Sequence, residues 1–289
     1  GATKNHLGEL LEAEKLYRKA IKIKNDWAEA HRDLGNVLRE LGQLKEAEIS
    51  YHKAIKLKPH FVEAAWNLYC LANSISKAEE RINLCLKIDE NYLDAKLTLC
   101  ALKLHQGDSS LLNEILKSNN KDHPFIRSFK WVSSLPEIPK LFFHRWAFFD
   151  TMINESKRER PFYEFGVWRG TSFKYLIKYL KKGYGFDTFR GLPEKWHNEK
   201  KGTYSAQGVL PKIKGGKFIQ GKFEDTLPIF FSEPKPIASI INFDADLYSS
   251  TLCALNYSKE VIDEDTILIF DEFIINNNWE QDEYKALNK

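Results

Sequence analysis

The sequence predicts two architectures in one chain, an all-helical first half and a doubly wound parallel α/β sheet in the second. Residues of matching size recur about 34 positions apart in the first 117 residues, which is a helical-repeat period. From Pro161 onward, short apolar runs alternate with helical stretches. We therefore predict an α plus α/β fold with helical repeats in residues 1–117, a linker with an aromatic helix in residues 118–160, and the sheet domain in residues 161–289.

Length and composition narrow the class of protein. A chain of 289 residues holds about two domains, whose cores need no disulfide or metal. The formal net charge of +3 is too small to indicate nucleic acid binding, and no apolar run approaches the roughly 18 residues of a membrane span. We expect a cytoplasmic protein in which the four cysteines are reduced thiols.

The helical half alternates small and large positions. Small residues recur where paired helices approach, and a tyrosine recurs where two pairs meet. These positions are Gly8, Tyr17, Ala20, Gly42, Tyr51 and Ala54. The pattern resembles the tetratricopeptide repeat, which implies a protein partner or self-association, with a packing scaffold as the alternative. Because Gly1 already stands at a mid-helix repeat position, we expect the array to extend upstream.

The repeat pattern ends near Ser118, where residues 118–124 are rich in turn formers. Residues 142–155 then form an aromatic amphipathic stretch, for which we predict a helix. This helix is expected to pack on the sheet domain or to form a wall of its substrate pocket.

The second half alternates strand and helix. Strands are predicted at residues 162–165, 184–186, 218–220, 237–243 and 266–270. Helices are predicted at residues 173–181, 226–232, 250–262 and 279–287. Ligands of such sheets lie beyond the carboxyl ends of the strands, near the point where the strand order reverses, so we expect functional side chains there.

A glycine turn follows the first predicted strand. Residues 161–172, Pro-Phe-Tyr-Glu-Phe-Gly-Val-Trp-Arg-Gly-Thr-Ser, read as strand, turn and helix. Gly166 and Gly170 would let the backbone approach a ligand, and a helix beginning near Thr171 would direct free N–H groups at it. The acidic Glu164 and the absence of the phosphate-binding glycine patterns indicate a nucleoside without a phosphate chain. A turn that only packs the helix on the strand is the alternative.

Acidic and aromatic residues follow the next two strands. Asp187 ends the second strand, where a carboxylate would hold ribose hydroxyls, although it also suits a plain turn position. After the third strand, Phe223 is predicted to cover an adenine face, with Glu224 or nearby backbone at the edge of the base.

Five segments together resemble the class I methyltransferases that use S-adenosylmethionine, of the macrocin O-methyltransferase type. They are Glu-Phe-Gly-Val-Trp-Arg-Gly (164–170), Asp-Thr-Phe-Arg-Gly-Leu-Pro (187–193), Asp-Thr-Leu-Pro (225–228), Asp-Ala-Asp-Leu-Tyr-Ser-Ser-Thr (244–251) and Asp-Glu-Phe (271–273). The resemblance implies a Rossmann-like fold, S-adenosylmethionine as methyl donor, and a sugar or glycosylated-metabolite hydroxyl as acceptor. A complete fold of this class has two further strands, which we expect this chain to lack. The implied cofactor contacts are Glu164, Gly166, Val167, Trp168, Arg169, Gly170, Thr171, Ser172, Asp187, Phe189, Phe223, Glu224 and Asp244.

A metal site is predicted at the ends of two neighbouring strands. Asp244, Asp271 and Glu272 would repel one another unless a cation held them, and oxygen-only ligation favours Mg²⁺ or a similar hard ion. Such an ion would lower the pKa of the acceptor hydroxyl. The resemblance implies the same divalent metal, although Asp271-Glu272-Phe273 stands where the family more often has Asp-Asp-Tyr. Solvated carboxylates without a metal are the alternative.

Three residues are predicted as possible general bases. Asp244 and Asp246 follow the fourth strand, and His197 lies in the polar loop of residues 196–204, which would close over the site as a lid. Related metal-dependent catechol O-methyltransferases place a lysine where this chain has Leu247.

Two other functions stay open at the level of sequence. One is a non-catalytic adaptor in which the repeats do the work and the second domain is a degenerate methyltransferase. The other is methylation of a protein or peptide delivered by the repeats.

Overall fold

The structure, a computed structural model, describes residues 2–289, with side chains from residue 10 onward. Gly1, predicted at a mid-helix repeat position, lies outside the described residues. One compact unit comprises residues 5–145 and a second contains residues 146–289, so the division falls inside the predicted linker. The domain boundaries at residues 117 and 160 stay a prediction.

The first unit is helical throughout. Its helices are α1 (Ala2–Ile23), α2 (Ala28–Glu40), α3 (Leu44–Leu57), α4 (Val62–Tyr69), α5 (Ile75–Ile88), α6 (Leu93–His105), α7 (Ser110–Ile115) and α8 (Pro124–Ser133). From α2 to α6, each helix packs against the next in chain order. No helix in the described part of the chain is both long and apolar enough to traverse a lipid bilayer.

Small residues let the paired helices approach as predicted. A Cβ on Gly35 would lie 2.5 Å from the Tyr51 ring, so only glycine lets this ring pack against α2. Tyr51 is fully buried, and its hydroxyl donates to Asn36 Oδ1 at 2.9 Å. Ala47 and Ala54 on α3 are also fully buried. The helical half of the predicted fold class is therefore confirmed.

The second unit is a five-stranded parallel sheet covered by helices. In chain order its elements are α9 (Arg145–Glu155), β1 (Phe162–Phe165), α10 (Thr171–Leu180), β2 (Gly183–Asp187), β3 (Gly216–Gln220), α11 (Phe223–Phe230), β4 (Ile240–Phe243), α12 (Tyr248–Ser258), β5 (Ile267–Phe270) and α13 (Glu283–Leu287). Short 3₁₀ helices span Lys259–Val261 and Trp279–Gln281. The predicted α/β half is confirmed.

The strand order is β3-β2-β1-β4-β5, so the order reverses between β1 and β4. Side chains of β1 alternate between two cores. Phe162 packs with Phe173 of α10 and Phe149 of α9, whereas Tyr163 packs with Leu227 of α11. Both faces of β1 and β4 are covered, so every residue of these two strands is buried. The crevice between the ends of β1 and β4 is the position where such sheets bind ligands.

Candidate functional site

Four phenylalanines stack beneath the carboxyl ends of the strands. Strand register pairs Phe165 of β1 with Phe186 of β2 and with Phe243 of β4, which in turn pairs with Phe270 of β5. Adjacent ring centroids are 4.9, 5.4 and 4.8 Å apart, with ring planes within 18° of parallel. We call this row the phenylalanine ladder. It forms an apolar floor under the strand ends.

The residues directly after the ladder begin the polar edge of the site, and they are Gly166, Asp187, Asp244 and Asp271. A Phe-Asp dipeptide therefore marks three of the four strand ends. This repetition was missed as a signal in the sequence, although it locates both the floor and the acidic edge.

Asp187 holds the glycine loop of residues 166–170. Its Oδ2 accepts hydrogen bonds from the backbone N–H groups of Val167 and Trp168, at 2.8 and 2.7 Å. Its Oδ1 accepts from Phe189 N at 2.6 Å. Thr188 Oγ1 lies 3.5 Å from the same Oδ1, so both oxygens of Asp187 have partners within the protein. The predicted ribose contact stays a prediction, and the carboxylate also has a structural role.

The two glycines of the turn serve backbone packing. A Cβ on Gly166, where φ is +89°, would lie 1.7 Å from the carbonyl oxygen of Asp244. On Gly170, where φ is +75°, it would lie 3.2 Å from Pro211 and 3.3 Å from Ile213. The glycines therefore bring the loop against the end of β4 and against the segment before β3.

Glu164 lies inside the sheet rather than at the edge of the site. Its side chain is fully buried, and Oε1 accepts hydrogen bonds from Ser172 Oγ and from Asn242 Nδ2, the latter at 2.9 Å. These contacts connect β1, α10 and β4. The carboxylate thus fixes the start of α10, whose first N–H groups face the strand ends.

Three other predicted cofactor residues have packing or surface positions. The Phe189 ring is fully buried in the core and lies edge-on to Phe218. Phe223 is 8% exposed and packs edge-on against Phe165. The structure thus gives these rings packing roles, and their cofactor contacts stay a prediction. Glu224 is exposed and pairs with Lys222 at 3.4 Å.

The remaining residues of the turn divide between core and surface. Val167 is buried in the core, and Thr171 at the start of α10 is exposed. The guanidinium of Arg169 lies 4.9 Å from the centroid of the Trp168 ring. The turn therefore offers a ligand mainly its backbone and the Trp168 and Arg169 side chains.

Asp246 is surrounded by other acids. Burial is the largest cause of a rise in its pKa to about 7, and the nearby carboxylates of Glu272, Asp271, Asp187 and Asp282 contribute to the same rise. The residue also adopts a left-handed backbone with φ +60°. A carboxyl group that titrates near neutrality can take a proton from a substrate at physiological pH.

Glu283 was not predicted from the sequence, yet it belongs to the same acidic group. It is fully buried, and its Oε2 accepts a hydrogen bond from the backbone N–H of Glu272 at 3.1 Å. Its pKa is raised to about 9, mainly by burial and also by the charges of Asp271, Asp246 and Glu272, while the hydrogen bond from Glu272 N opposes the rise. Glu283 is therefore neutral at pH 7.

The three carboxylates predicted to bind Mg²⁺ do not form a ligand set. Within the described residues, no three His, Cys, Asp or Glu side chains converge in a way that could hold a metal ion. The prediction of a metal at Asp244, Asp271 and Glu272 is therefore not supported. Its premise was that the acids need a cation to offset their repulsion. Protonation of Glu283 and partial protonation of Asp246 reduce that repulsion instead.

His197 is held by two residues that follow β5. Asn278 Nδ2 donates to His197 Nδ1 at 2.8 Å, so the proton lies on Nε2, which donates to Asp282 Oδ2 at 2.7 Å. Since both ring nitrogens are engaged, the geometry favours a positioning role over the predicted role as base. Ser249 Oγ also donates to Glu194 Oε1 at 2.7 Å, so three hydrogen bonds hold the loop after β2.

Backbone strain is concentrated around these loops. Among the residues that the structure describes, eight non-glycine residues have φ in the left-handed region. Lys181 ends α10, and the other seven follow the carboxyl ends of strands. They are Trp168, Phe189, His197, Tyr204, Gln207, Asp246 and Ile275. Each such residue costs on the order of 1–3 kcal/mol, and strain of this kind clusters at functional sites.

Comparison with known proteins identifies the repeat. The family model of the tetratricopeptide repeat matches residues 28–61, which contain α2 and α3. No match is found among curated proteins.

Solved structures with some likeness to this chain include two of CalS11. One is described as calicheamicin methyltransferase; it is 19% identical, with 68% of this chain and 84% of that chain covered and a TM-score of 0.43. The other is an apo structure described as TDP-rhamnose 3′-O-methyltransferase of calicheamicin biosynthesis, with 20% identity, coverage of 68% and 85%, and a TM-score of 0.38. A mutant O-GlcNAc transferase of Thermobaculum terrenum is 16% identical, with coverage of 65% and 36% and a TM-score of 0.35. Likeness at this level assigns no activity, so function is argued from the residues of the site.

Proposed function

We propose that this protein is an S-adenosylmethionine-dependent O-methyltransferase that acts on a hydroxyl group of a sugar or glycosylated metabolite. The observation that carries the proposal is the meeting of two features at the point where the strand order reverses. One is the glycine loop clamped by Asp187, and the other is the neutral-range carboxyl group of Asp246.

The chemistry of the strand ends fits S-adenosylmethionine, which carries a sulfonium, an ammonium and a ribose diol but no phosphate. Carboxylates accept hydrogen bonds from hydroxyl and ammonium groups and favour positive charge. Asp187 and Asp244 would hold the polar groups of the nucleoside and amino acid ends, together with the backbone of residues 166–172. When bound, this cofactor would supply an electrophilic methyl group.

Asp246 is the proposed general base. A base works best when its pKa lies near the operating pH, because enough of it is then deprotonated while it still binds a proton well. The pKa of Asp246 at about 7 meets this condition without a metal. His197 would act as a positioning residue that holds the loop after β2 against Asp282 and Asn278.

The helical unit would bind a protein partner or a second copy of the chain. Its tetratricopeptide match supports an interaction role, since stacked repeats form extended binding surfaces. This role is separate from methyl transfer and would be tested separately.

Isothermal titration calorimetry with S-adenosylhomocysteine tests the core of the proposal. We expect the parent protein to bind the ligand and Asp187→Ala to lose binding. Glu260→Ala is the control, because Glu260 is an exposed carboxylate at the other end of the strands. The next residue, Val261, accepts a hydrogen bond from Ala238 N just before β4 begins. The absence of binding in the parent, or equal binding by Asp187→Ala, would overturn the proposed cofactor site.

A further inference from the structure

Two exposed aromatic rings form a corner beside the glycine loop. The side chains of Trp168 and Tyr204 are 39% and 43% exposed. Their ring centroids are 6.1 Å apart and their planes meet at 76°. Two large aromatic rings that are exposed next to each other, unlike a single exposed ring, form an apolar patch that suits a ligand.

Both rings are held on strained but anchored backbone. Trp168 has φ +48° and donates its backbone N–H to Asp187 Oδ2 at 2.7 Å. Tyr204 has φ +61°, and the preceding residue, Thr203, accepts a hydrogen bond from Leu192 N at 2.9 Å. Left-handed backbone at bulky residues persists only where the surroundings enforce it. The fold thus places these rings at a defined position.

The corner lies next to the acids of the site. Burial raises the pKa of Tyr204, and the carboxylates of Glu199, Asp246 and Glu272 raise it further, so the phenol lies within electrostatic reach of the proposed base. The same carboxylates accept hydrogen bonds but donate none when ionised. A ligand that meets these carboxylates must therefore bring O–H or N–H donors. The guanidinium of Arg169, 4.9 Å from the centroid of the Trp168 ring, is a hydrogen-bond donor at the same corner.

We infer that Trp168 and Tyr204 form the acceptor subsite and bind one pyranose ring of a sugar, which assigns the Trp168 ring to the acceptor instead of to the predicted cofactor contact. This inference rests on the proposed function and specifies its acceptor. An aromatic face carries partial negative charge and attracts the C–H groups on the apolar face of a sugar. The sugar hydroxyls then meet the carboxylates around Asp246. A corner of 76° presents one ring face and one ring edge, which suits a puckered ring better than the parallel walls that a flat aromatic ligand needs.

The test is saturation-transfer NMR with methyl glycosides of glucose, rhamnose and N-acetylglucosamine, with and without S-adenosylhomocysteine. We expect saturation of ring C–H protons on one sugar face for at least one glycoside. Affinity should fall roughly tenfold in Trp168→Ala and in Tyr204→Ala, the change expected for the loss of one aromatic contact. Tyr204→Phe keeps the ring and should bind as the parent does. Tyr257→Ala is the matched control, because Tyr257 on α12 is also exposed, at 36%.

The inference is overturned if none of the three glycosides receives saturation, or if both alanine variants bind them as tightly as the parent does. Calorimetry with S-adenosylhomocysteine on the same samples separates the two proposals. If the parent protein does not bind S-adenosylhomocysteine, the methyltransferase assignment is contradicted. If S-adenosylhomocysteine binds but the glycoside signals are the same in the parent, Trp168→Ala and Tyr204→Ala, only the acceptor subsite is contradicted.

Discussion

Replacing Gly166 by alanine should disrupt the contact that joins β1 to β4. Gly166 has φ +89°, and an added Cβ would lie 1.7 Å from the carbonyl oxygen of Asp244. The backbone N–H of Asp244 donates to Phe165 O at 2.8 Å, so the two strand ends are already hydrogen-bonded. No side chain can rotate to relieve the clash. The end of one strand must move.

The expected loss of stability has two parts. An L-residue in the left-handed region costs about 1–2 kcal/mol, and overpacking a closed site costs a further 1–3 kcal/mol or so. The sum for Gly166→Ala is roughly 2–5 kcal/mol. Gly202→Ala is the matched control, because Gly202 has the same φ of +89° and an added Cβ there meets nothing within 4 Å. Gly202→Ala should show only the cost of the left-handed backbone, about 1–2 kcal/mol.

Hydrogen exchange across a urea series measures this difference in the sheet unit alone. Peptides that cover β1 and β4 report that unit, which avoids mixing its unfolding with that of the helical unit. We expect Gly166→Ala to be less stable than Gly202→Ala by about 1–3 kcal/mol. Equal losses in the two variants would refute the tight backbone contact at the end of β4.

Three further predictions concern the carboxyl groups. Asp187→Asn would place an amide where three backbone N–H groups point, so we expect about 2–4 kcal/mol of lost stability in urea unfolding of the sheet unit; a variant as stable as the parent would contradict the clamp. Asp246→Asn should slow methyl transfer at least about 100-fold and should abolish the rise of kcat/KM with pH that we expect near 7 in the parent; a rise that persists in the variant would place the base elsewhere. Glu283 has a folded-state pKa of about 9 against an ordinary value of 4.5, so it favours folding most at low pH, and that contribution is lost as pH rises from 4.5 to 9. Glu283→Gln should therefore gain stability relative to the parent between pH 5 and pH 8 in thermal unfolding, and parallel pH curves for the two proteins would contradict the buried neutral acid.

The strands could be predicted because a sheet covered on both faces is apolar on both sides. The predicted strand at residues 162–165 coincides with β1, and the one at residues 266–270 begins one residue before β5. The fourth was predicted to begin at residue 237, three residues before β4. Ile237 and Ala238 are apolar and Ala238 is buried, but Ala238 N donates to Val261 O outside the sheet, so composition alone could not separate them from the strand.

The positions of the polar strand ends could be predicted, but their partners could not. Asp187 was expected to hold a ligand, and its partners Val167 and Trp168 lie about twenty residues earlier in the chain. His197 and Asp282 are 85 residues apart. No local pattern pairs such residues, because each is positioned by a different strand. Left-handed backbone at Trp168 was equally hidden, since its usual signals are glycine and asparagine.

The floor and the acidic edge of the site come from the same dipeptides. At three strand ends, a phenylalanine of the ladder precedes an aspartate. The rings stack with centroids about 5 Å apart, so water is excluded from below the carboxylates. Exclusion of water is also the largest cause of the raised pKa of Asp246. We therefore expect packing under the strands and proton affinity above them to be linked.

This link predicts that the ladder can change the proposed base without touching it. Phe243→Leu would leave Asp246 and the four carboxylates that raise its pKa unchanged. It would remove a ring that stacks on both Phe165 and Phe270. Water reaching the floor would favour the ionised carboxylate, so the pKa of Asp246 should fall. The midpoint of the kcat/KM profile should then move to lower pH. Phe149→Leu, in the core that contains α9, is the control for lost packing alone. A midpoint that shifts equally in both variants, or in neither, would mean that the ladder does not set the proton affinity of the site.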